Sequence, residues 1–240
     1  AGDTLSATTA NGRPAGIAAA QAVVNGEIVL LLTGPASAAD YQRALDSVRF
    51  SSSSDNPGTT PRTIEVTVND GIRNSQAATA TINVVAVDDP MIANSDRVVT
   101  NWTNGNPFTI PGWALLANDA DPDSTLAISA ITASNSLTAT LGANGVTITD
   151  SGGGNGGSFT YRGTGNDTAN VDVVRDTNGA IDGGNGNDIL VGDNAANTLD
   201  GGGGNDIIFA GGGDDRINQT SNQGRDIIDG GTGNDTYALS

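Results

Sequence analysis

The first stretch of the chain alternates apolar and polar residues with a period of two, broken by turn residues. Ala20–Val24 and Glu27–Leu32 flank Asn25-Gly26, and Asn-Gly supplies the positive φ of a tight hairpin turn. Ile64, Val66 and Val68 run into Asn69-Asp70-Gly71, and Ala78, Ala80, Ile82 and Val84 run back. That alternation predicts a second half-buried antiparallel hairpin. Ser37–Ser47 follows a helical period instead. Tyr41, Ala44, Leu45 and Val48 share a face, and Ser37 with Asp40 three residues later makes a capping-box start. Further on, short apolar runs recur at Val98-Val99, Phe108–Ile110, Leu126–Ile131, Leu137–Leu141, Val146–Ile148, Phe159–Tyr161 and Val171–Val174. Many short strands with Gly, Pro, Asn and Asp between them predict a β-sandwich. Gly152–Gly157 reads as a loop.

From Val174 the period changes to nine. The rows are VRDTNGAID, GGNGNDILV, GDNAANTLD, GGGGNDIIF and AGGGDDRIN, then, after Gln219-Thr220, SNQGRDIID and GGTGNDTYA. Position eight is apolar throughout: Ile181, Leu190, Leu199, Ile208, Ile217, Ile228 and Tyr237. Position six carries Asp188, Asn197, Asp206, Asp215, Asp226 and Asp235. Glycines at positions one, two and four let the backbone bend tightly and turn carbonyl oxygens inward. The last three residues of a row predict a short strand whose eighth side chain points inside. One row cannot bury a face alone, so rows must stack, with every second row on the same side of a coil.

Composition narrows the chemistry. Asp+Glu number 27 against Lys+Arg 10, a net charge of −17, and the acids are all Asp except Glu27 and Glu65. The chain has no Lys, His or Cys. That removes His- or Cys-based nucleophilic catalysis, Schiff-base lysines, ordinary zinc sites and disulfides. Nucleic acid is a poor partner for a surface of its own sign, and no apolar run approaches the ~20 residues that cross a bilayer. No HExxH or GxSxG occurs, so the expectation is a chain without enzymatic activity. What remains is oxygen ligation of a hard cation. Trp102 and Trp113 read as packing residues rather than ligand platforms.

The nine-residue rows resemble the glycine-aspartate nonapeptide repeats of RTX proteins, which form a Ca²⁺-filled parallel β-roll. GGNGNDILV and GGGGNDIIF match best; GDNAANTLD and SNQGRDIID match poorly. The resemblance implies Ca²⁺ held by backbone at Gly184, Gly186, Gly202, Gly204, Gly213 and Gly233, and by Asp188, Asn197, Asp206, Asp215, Asp226 and Asp235. It pairs Asp188 with Asp206, Asn197 with Asp215, Asp206 with Asp226 and Asp215 with Asp235. The uncharged Asn197 makes its site weaker, and Gln219-Thr220 is expected to disturb the pairs that cross it.

LTGPASAADYQRALDSVRFSSSSDNPG, PRTIEVTVNDGIRNSQAATATINVVAVDDP and FTIPGWALLANDADPD are similar to cadherin-like and Ig-like repeats of bacterial surface adhesins. That resemblance implies further Ca²⁺ ligands at Asp88 and Asp89 of the junction and at Asp119, Asp121 and Asp123. The expected fold is all-β: a cadherin/Ig-like β-sandwich at 1–90 lacking its first strand or two, a second at 91–175, and a Ca²⁺-filled parallel β-roll at 176–240. The expected function is that of a calcium-binding, non-catalytic segment of a secreted bacterial surface protein, an RTX adhesin. It would fold on external Ca²⁺ after type I secretion. Its partners would be calcium, then a host, matrix or neighbouring-cell surface or a second copy, with no nucleic acid and no membrane insertion. The alternatives are the non-catalytic C-terminal region of an RTX exoenzyme and a Ca²⁺-dependent surface-layer subunit.

Overall fold

The computed structural model describes residues 2–24, 27–67, 69, 75–102, 105–150, 155–164, 167–177, 180–219 and 224–239. The chain divides into two compact units, Ala1–Val87 and Asp88–Ser240.

The first unit contains three antiparallel pairs. Strand β1 (Asp3–Ala7) pairs with β4 (Val48–Ser52), β2 (Ala18–Val24) with β3 (Glu27–Thr33), and β5 (Arg62–Val66) with β6 (Ala78–Ile82). The two alternating segments of the sequence thus form the β2–β3 and β5–β6 hairpins; their turn residues Asn25-Gly26 and Asp70-Gly71 lie outside the described residues. The one helix expected here is α1 (Ala38–Asp46). Ser37 Oγ accepts from the Asp40 N–H, and Asp40 in return accepts from the Ser37 N–H, so two free N–H groups are satisfied reciprocally.

The second unit begins as a sandwich. One sheet is β10 (Leu137–Gly142), β11 (Gly145–Asp150) and β8 (Phe108–Ile110). Facing it are β9 (Ala130–Asn135), β12 (Gly156–Arg162), β13 (Thr168–Arg175) and β7 (Asp96–Thr100). Phe108, Ile110, Val146, Ile148, Phe159, Tyr161, Val171 and Val98 fill the space between them. A short helix, α2 (Gly112–Leu115), adds Ala114 and Leu115 to that core. Two expectations shift. Leu126–Ser129 precedes β9 rather than forming it, and Gly156-Gly157, read as loop, opens β12. Gly156 has φ 87° there, and a Cβ would meet the Val173 carbonyl at 1.9 Å, so only glycine lets β12 start this close to β13.

The nine-residue rows coil as their period predicts. Alternate rows contribute β15 (Asp188–Val191), β17 (Ile207–Phe209) and β19 (Ile227–Asp229) to one side. The rows between them contribute β14 (Ile181–Asp182), β16 (Thr198–Asp200), β18 (Arg216–Gln219) and β20 (Thr236–Leu239) to the other. Every pair within each side is parallel and in phase, Leu190 beside Ile208 beside Ile228, and Leu199 beside Ile217 beside Tyr237. The eighth residues Ile181, Leu190, Leu199, Ile208 and Ile217 are buried and, with Val99 and Ala210, form a core of their own between the two sides.

The roll and the sandwich share a sheet. Strand β7 pairs in parallel with β13 on one edge and with β15 on the other, giving the continuous order β19-β17-β15-β7-β13-β12-β9. Strands β15 and β17 are therefore covered twice. Leu190 and Ile208 point into the roll, while Ile189, Val191 and Ile207 point into the sandwich core. The opposite side of the roll has no such neighbour, and its seventh positions are Thr198, Arg216 and Thr236. The aromatic residues close this seam. Trp102 stacks on Phe108 at 6.0 Å and donates its indole N–H to the Gly192 carbonyl at 2.8 Å, and Trp113 meets Phe209 edge-on at 5.9 Å.

Ile208 is fully buried at the middle of the inner ladder. Ile208→Ala is expected to destabilise the calcium-loaded chain by about 2–5 kcal/mol. Urea denaturation compared with wild type measures this, and a cost below about 1 kcal/mol would mean that the ladder is not a packed core.

Candidate metal centre

The glycine turns set how closely the rows approach. Gly202 (φ 83°) and Gly204 (φ 135°) occupy conformations that side-chain-bearing residues avoid. A Cβ on Gly202 would fall 1.9 Å from the Gly184 carbonyl oxygen, and one on Gly204 2.0 Å from that of Gly186. Backbone bonds then tie turn to turn. Gly203 N–H donates to the Gly184 carbonyl at 2.6 Å, and Gly186 N–H to the Gly203 carbonyl at 2.6 Å. On the other side Thr232 N–H donates to the Gly211 carbonyl at 2.9 Å and Gly213 N–H to the Thr232 carbonyl at 2.9 Å.

The position-six side chains lie inside this frame. The N–H of each row donates to the carboxylate of the next row on its side: Asp188 to Asp206 Oδ1 at 2.9 Å, Asn197 to Asp215 Oδ1 at 2.7 Å, Asp206 to Asp226 Oδ1 at 2.8 Å, and Asp215 to Asp235 Oδ1 at 3.0 Å. All four sequence-derived pairs are thus neighbours. The Gln219-Thr220 insertion lengthens the last two separations to 20 residues yet leaves both bonds in place, contrary to the expectation that it would disturb them. The strands on either side stay in register.

One oxygen of each group remains. Asp188 Oδ2, Asp206 Oδ2, Asp215 Oδ2 and Asn197 Oδ1 are buried and accept no hydrogen bond. The Asn197 amide nitrogen is spent on Asp193 Oδ1 at 3.1 Å, so its oxygen alone is left over. In the rows of Asp206, Asn197 and Asp235 a side-chain oxygen lies against the row's first glycine. A Cβ would stand 2.4 Å from Asp206 Oδ2 at Gly201, 2.4 Å from Asn197 Oδ1 at Gly192 and 2.5 Å from Asp235 Oδ2 at Gly230. Asp188, Asp206 and Asp215 are only 2%, 1% and 1% exposed. An unsatisfied buried carboxylate oxygen costs several kcal/mol unless something cationic meets it. The repeated set is oxygen-only, anionic and in phase, which is the donor chemistry of a hard divalent cation completed by carbonyls or water.

In the metal-free chain the electrostatics oppose folding. Burial, followed by the charges of Asp226, Asp188 and Asp200, pushes Asp206 up to about 6. Burial, then Asp235, Asp193 and Asp214, also raises Asp215, while the Asn197 N–H acts the other way. Asp188 is raised by burial despite the Arg97 guanidinium. That guanidinium, from β7, donates to Asp188 Oδ1 at 2.9 Å and to the Gly183 carbonyl.

Sequence reading overlooked three features of this frame. Position five carries a second ladder, in which Asn205 N–H donates to Asn187 Oδ1, Arg225 N–H to Asn205 Oδ1 and Asn234 N–H to Asp214 Oδ1. The recurring Asn187, Asn205 and Asn234 were its visible signal. The second is Arg97. The third is Asp167, whose carboxylate accepts the Met91 N–H at 2.9 Å beside the junction.

The junction carboxylates divide into two groups. Asp88 accepts from Ser124 Oγ at 3.0 Å, and Asp123 accepts from the Asp89 N–H at 3.2 Å. Asp121 accepts the N–H groups of Asp123 and Ser124, which outweigh burial and hold it below the ordinary carboxylate range. Burial and the Asp121 and Asp88 charges push Asp123 the other way. Asp119 faces elsewhere, accepting from the Asn94 N–H at 2.7 Å and from the Tyr161 hydroxyl, close to buried Asp96. Burial and the Asp119 charge raise Asp96 to about 8. Among the described residues no three carboxylates converge on one point, so any ion here would rely on carbonyls and water for most of its shell.

Residues 182–217 and 220–238 match the RTX calcium-binding nonapeptide repeat, which the family describes in 4 copies, and residues 88–185 match a bacterial Ig domain. The rows are RTX repeats. RTX nonapeptide repeats bind Ca²⁺, so the chain is an all-β protein that carries an Ig-like domain and a calcium-binding parallel roll. RTX repeats and Ig domains of this kind are typical of extracellular bacterial proteins. No curated protein and no solved structure matches the chain. Among the described residues no helix is long and apolar enough to cross a membrane.

Two outcomes follow from this geometry. Gly202→Ala is expected to lower the urea midpoint of the calcium-loaded protein far more than Gly184→Ala. Both have positive φ, but no atom lies within 4 Å of a Cβ at Gly184. Equal effects would mean that the turns do not stack this tightly. The second outcome concerns pH. The folded-state value of Asp206 lies above its ordinary 3.8, so its stabilising contribution is complete below that value and fades as pH rises through about 6. Calcium-stripped protein should therefore gain roll structure when pH falls from 7.5 to 5. Circular dichroism reads this, and a loss of β signal on acidification would contradict it.

Proposed function

We propose that this chain is a non-catalytic, calcium-dependent structural and adhesive segment of a secreted bacterial surface protein, an RTX adhesin, whose roll orders outside the cell. The observation that carries the reading is the row of buried carboxylate oxygens, Asp188, Asp206 and Asp215, each left without a partner by the protein itself. Asp188, Asn197, Asp206, Asp215, Asp226 and Asp235 would hold Ca²⁺ with backbone oxygens of the turns at Gly184, Gly186, Gly202, Gly204, Gly213 and Gly233. A bound Ca²⁺ supplies positive charge and a flexible oxygen shell; the protein's part is to hold the carboxylates in phase and exclude water. A site at 100 times its dissociation constant adds about 2.7 kcal/mol, enough for several sites to decide whether so glycine-rich a segment folds. Extracellular calcium modules typically bind at about 10⁻⁴–10⁻³ M. In that range the roll is ordered outside a cell and open inside it, which suits export of an unfolded chain by a type I machine.

The Ig-like domain supports a presenting role: it supplies a finished sheet on which the roll is laid. Asp88, Asp89, Asp121 and Asp123 line the second proposed calcium position, where carbonyls and water would supply most of the shell, and Asp119 is oriented away toward Asn94 and Tyr161. The surface engaged would be that of a host, a matrix, a neighbouring cell or a second copy.

Calorimetric titration of the whole chain with Ca²⁺ tests this. Wild type should take up several ions with a gain of β signal, and Asp206→Ala, whose row lies between those of Asp188 and Asp226, should weaken two neighbouring sites. Wild-type stoichiometry and affinity in that variant would overturn the assignment.

A further inference from the structure

The roll has a beginning that its own repeat does not supply. In each later turn, Oδ1 of the position-six carboxylate accepts the N–H of the row before it on the same side. Asp188 opens its side, and no earlier row exists to make that bond. Strand β7 takes the place of one. Its register puts Arg97 beside Asp188, Val98 beside Ile189 and Val99 beside Leu190. This is the alignment that puts Ile207 and Ile208 beside Ile189 and Leu190. Val99 accordingly joins the inner apolar ladder. Arg97 stands where a further position-six Asp would stand.

Its guanidinium does what the missing row cannot. It donates to Asp188 Oδ1 at 2.9 Å and to the carbonyl of Gly183, the first residue of the same row. Asp188 is 2% exposed, and the guanidinium reaches it from a half-exposed position at the sheet edge of the turn. A charged bond of this kind is among the stronger ones available to a buried carboxylate. Guanidinium also stays protonated at every physiological pH, so it cannot be titrated away. Thr100 reinforces the splice by donating to the Val191 carbonyl at 2.7 Å.

We propose that Arg97 stands in for the missing row: its guanidinium gives Asp188 Oδ1 the bond that the N–H of a preceding row gives in later turns, so the first row is ordered by the Ig-like domain without calcium, while Asp188 Oδ2 stays open to an ion. Ion binding then extends the roll from that end. The inference rests on the calcium reading for the later rows but not for the first.

Hydrogen exchange of the whole chain, calcium-stripped and calcium-loaded, tests it with wild type, Arg97→Met and Arg97→Lys. In stripped wild type the amides of Ile189–Val191 should be protected at least tenfold more than those of Ile227–Asp229. Arg97→Met keeps much of the aliphatic stem but removes the charge, and should abolish that difference while amides of β12 and β13 stay protected. Arg97→Lys should restore part of it. Protection of β12 and β13 reports that the sandwich of each variant is folded. If sandwich protection is lost in Arg97→Met, the comparison of wild type with Arg97→Lys decides: first-row protection in Arg97→Lys below wild type but above that of β19 supports the role of the guanidinium, and protection equal to wild type overturns it. Equal exchange in the first and last rows of stripped wild type, or wild-type protection in Arg97→Met, overturns the proposal. First-row protection in a chain that takes up no calcium would instead overturn the calcium reading and leave the role of Arg97 standing.

Discussion

Burial of like charges is the constraint on which the second unit depends. Stacking the rows brings Asp188, Asp206 and Asp226 together on one side and Asn197, Asp215 and Asp235 on the other, and the protein satisfies only one oxygen of each inner group. The apolar ladder, the glycine turns and the parallel strands all pull toward a tight coil. The carboxylates push against it, and their upward-shifted titration expresses that opposition. A bound cation would offset that opposition, and RTX nonapeptide repeats bind Ca²⁺.

The Ig-like domain changes what that condition applies to. A free-standing roll would expose both of its sheets, and a short parallel sheet with one wet face is a poor structure. Here β15 and β17 are covered on both faces, by the inner ladder and by the sandwich core. The opposite sheet, with Thr198 and Arg216 turned outward, meets water. The two halves of the unit thus share one sheet, with the sandwich core on one face of β15 and β17 and the roll's inner ladder on the other.

Much of this was legible in the sequence, for physical reasons that can be named. Period two gave the hairpins around β2–β3 and β5–β6 because each has one buried face. The capping box gave α1 because its two hydrogen bonds are local. The nine-residue phase gave the coil, the inner ladder and the position-six pairs, since every row repeats the same requirement. Position seven carries a further signal: Ile189 and Ile207 lie on the covered side and Thr198, Arg216 and Thr236 on the other, while Ile227, at the far end of the covered side, is 52% exposed. The place of β7 was not legible. Val98-Val99 reads as any strand, and its two parallel partners are set by residues more than 70 positions away. Asp167 and Arg97 were hidden for the same reason, because each acts on a partner that only the fold brings near. The effect of Gln219-Thr220 was not legible because sequence spacing alone does not say whether the strands beyond an insertion keep phase, as β19 and β20 do.

The position of β7 also has a mechanical meaning. It is flanked on both edges by parallel neighbours, β13 and β15, and buried on both faces. Tension applied to the polypeptide ahead of Asp96 runs along this strand rather than across it. Its hydrogen bonds to both neighbours are then loaded in shear, all at once, instead of being peeled open one by one as at the end of a hairpin. A load arriving from that direction would meet a strand held along both edges, and each ion added to the adjoining coil would make that anchorage harder to drag free.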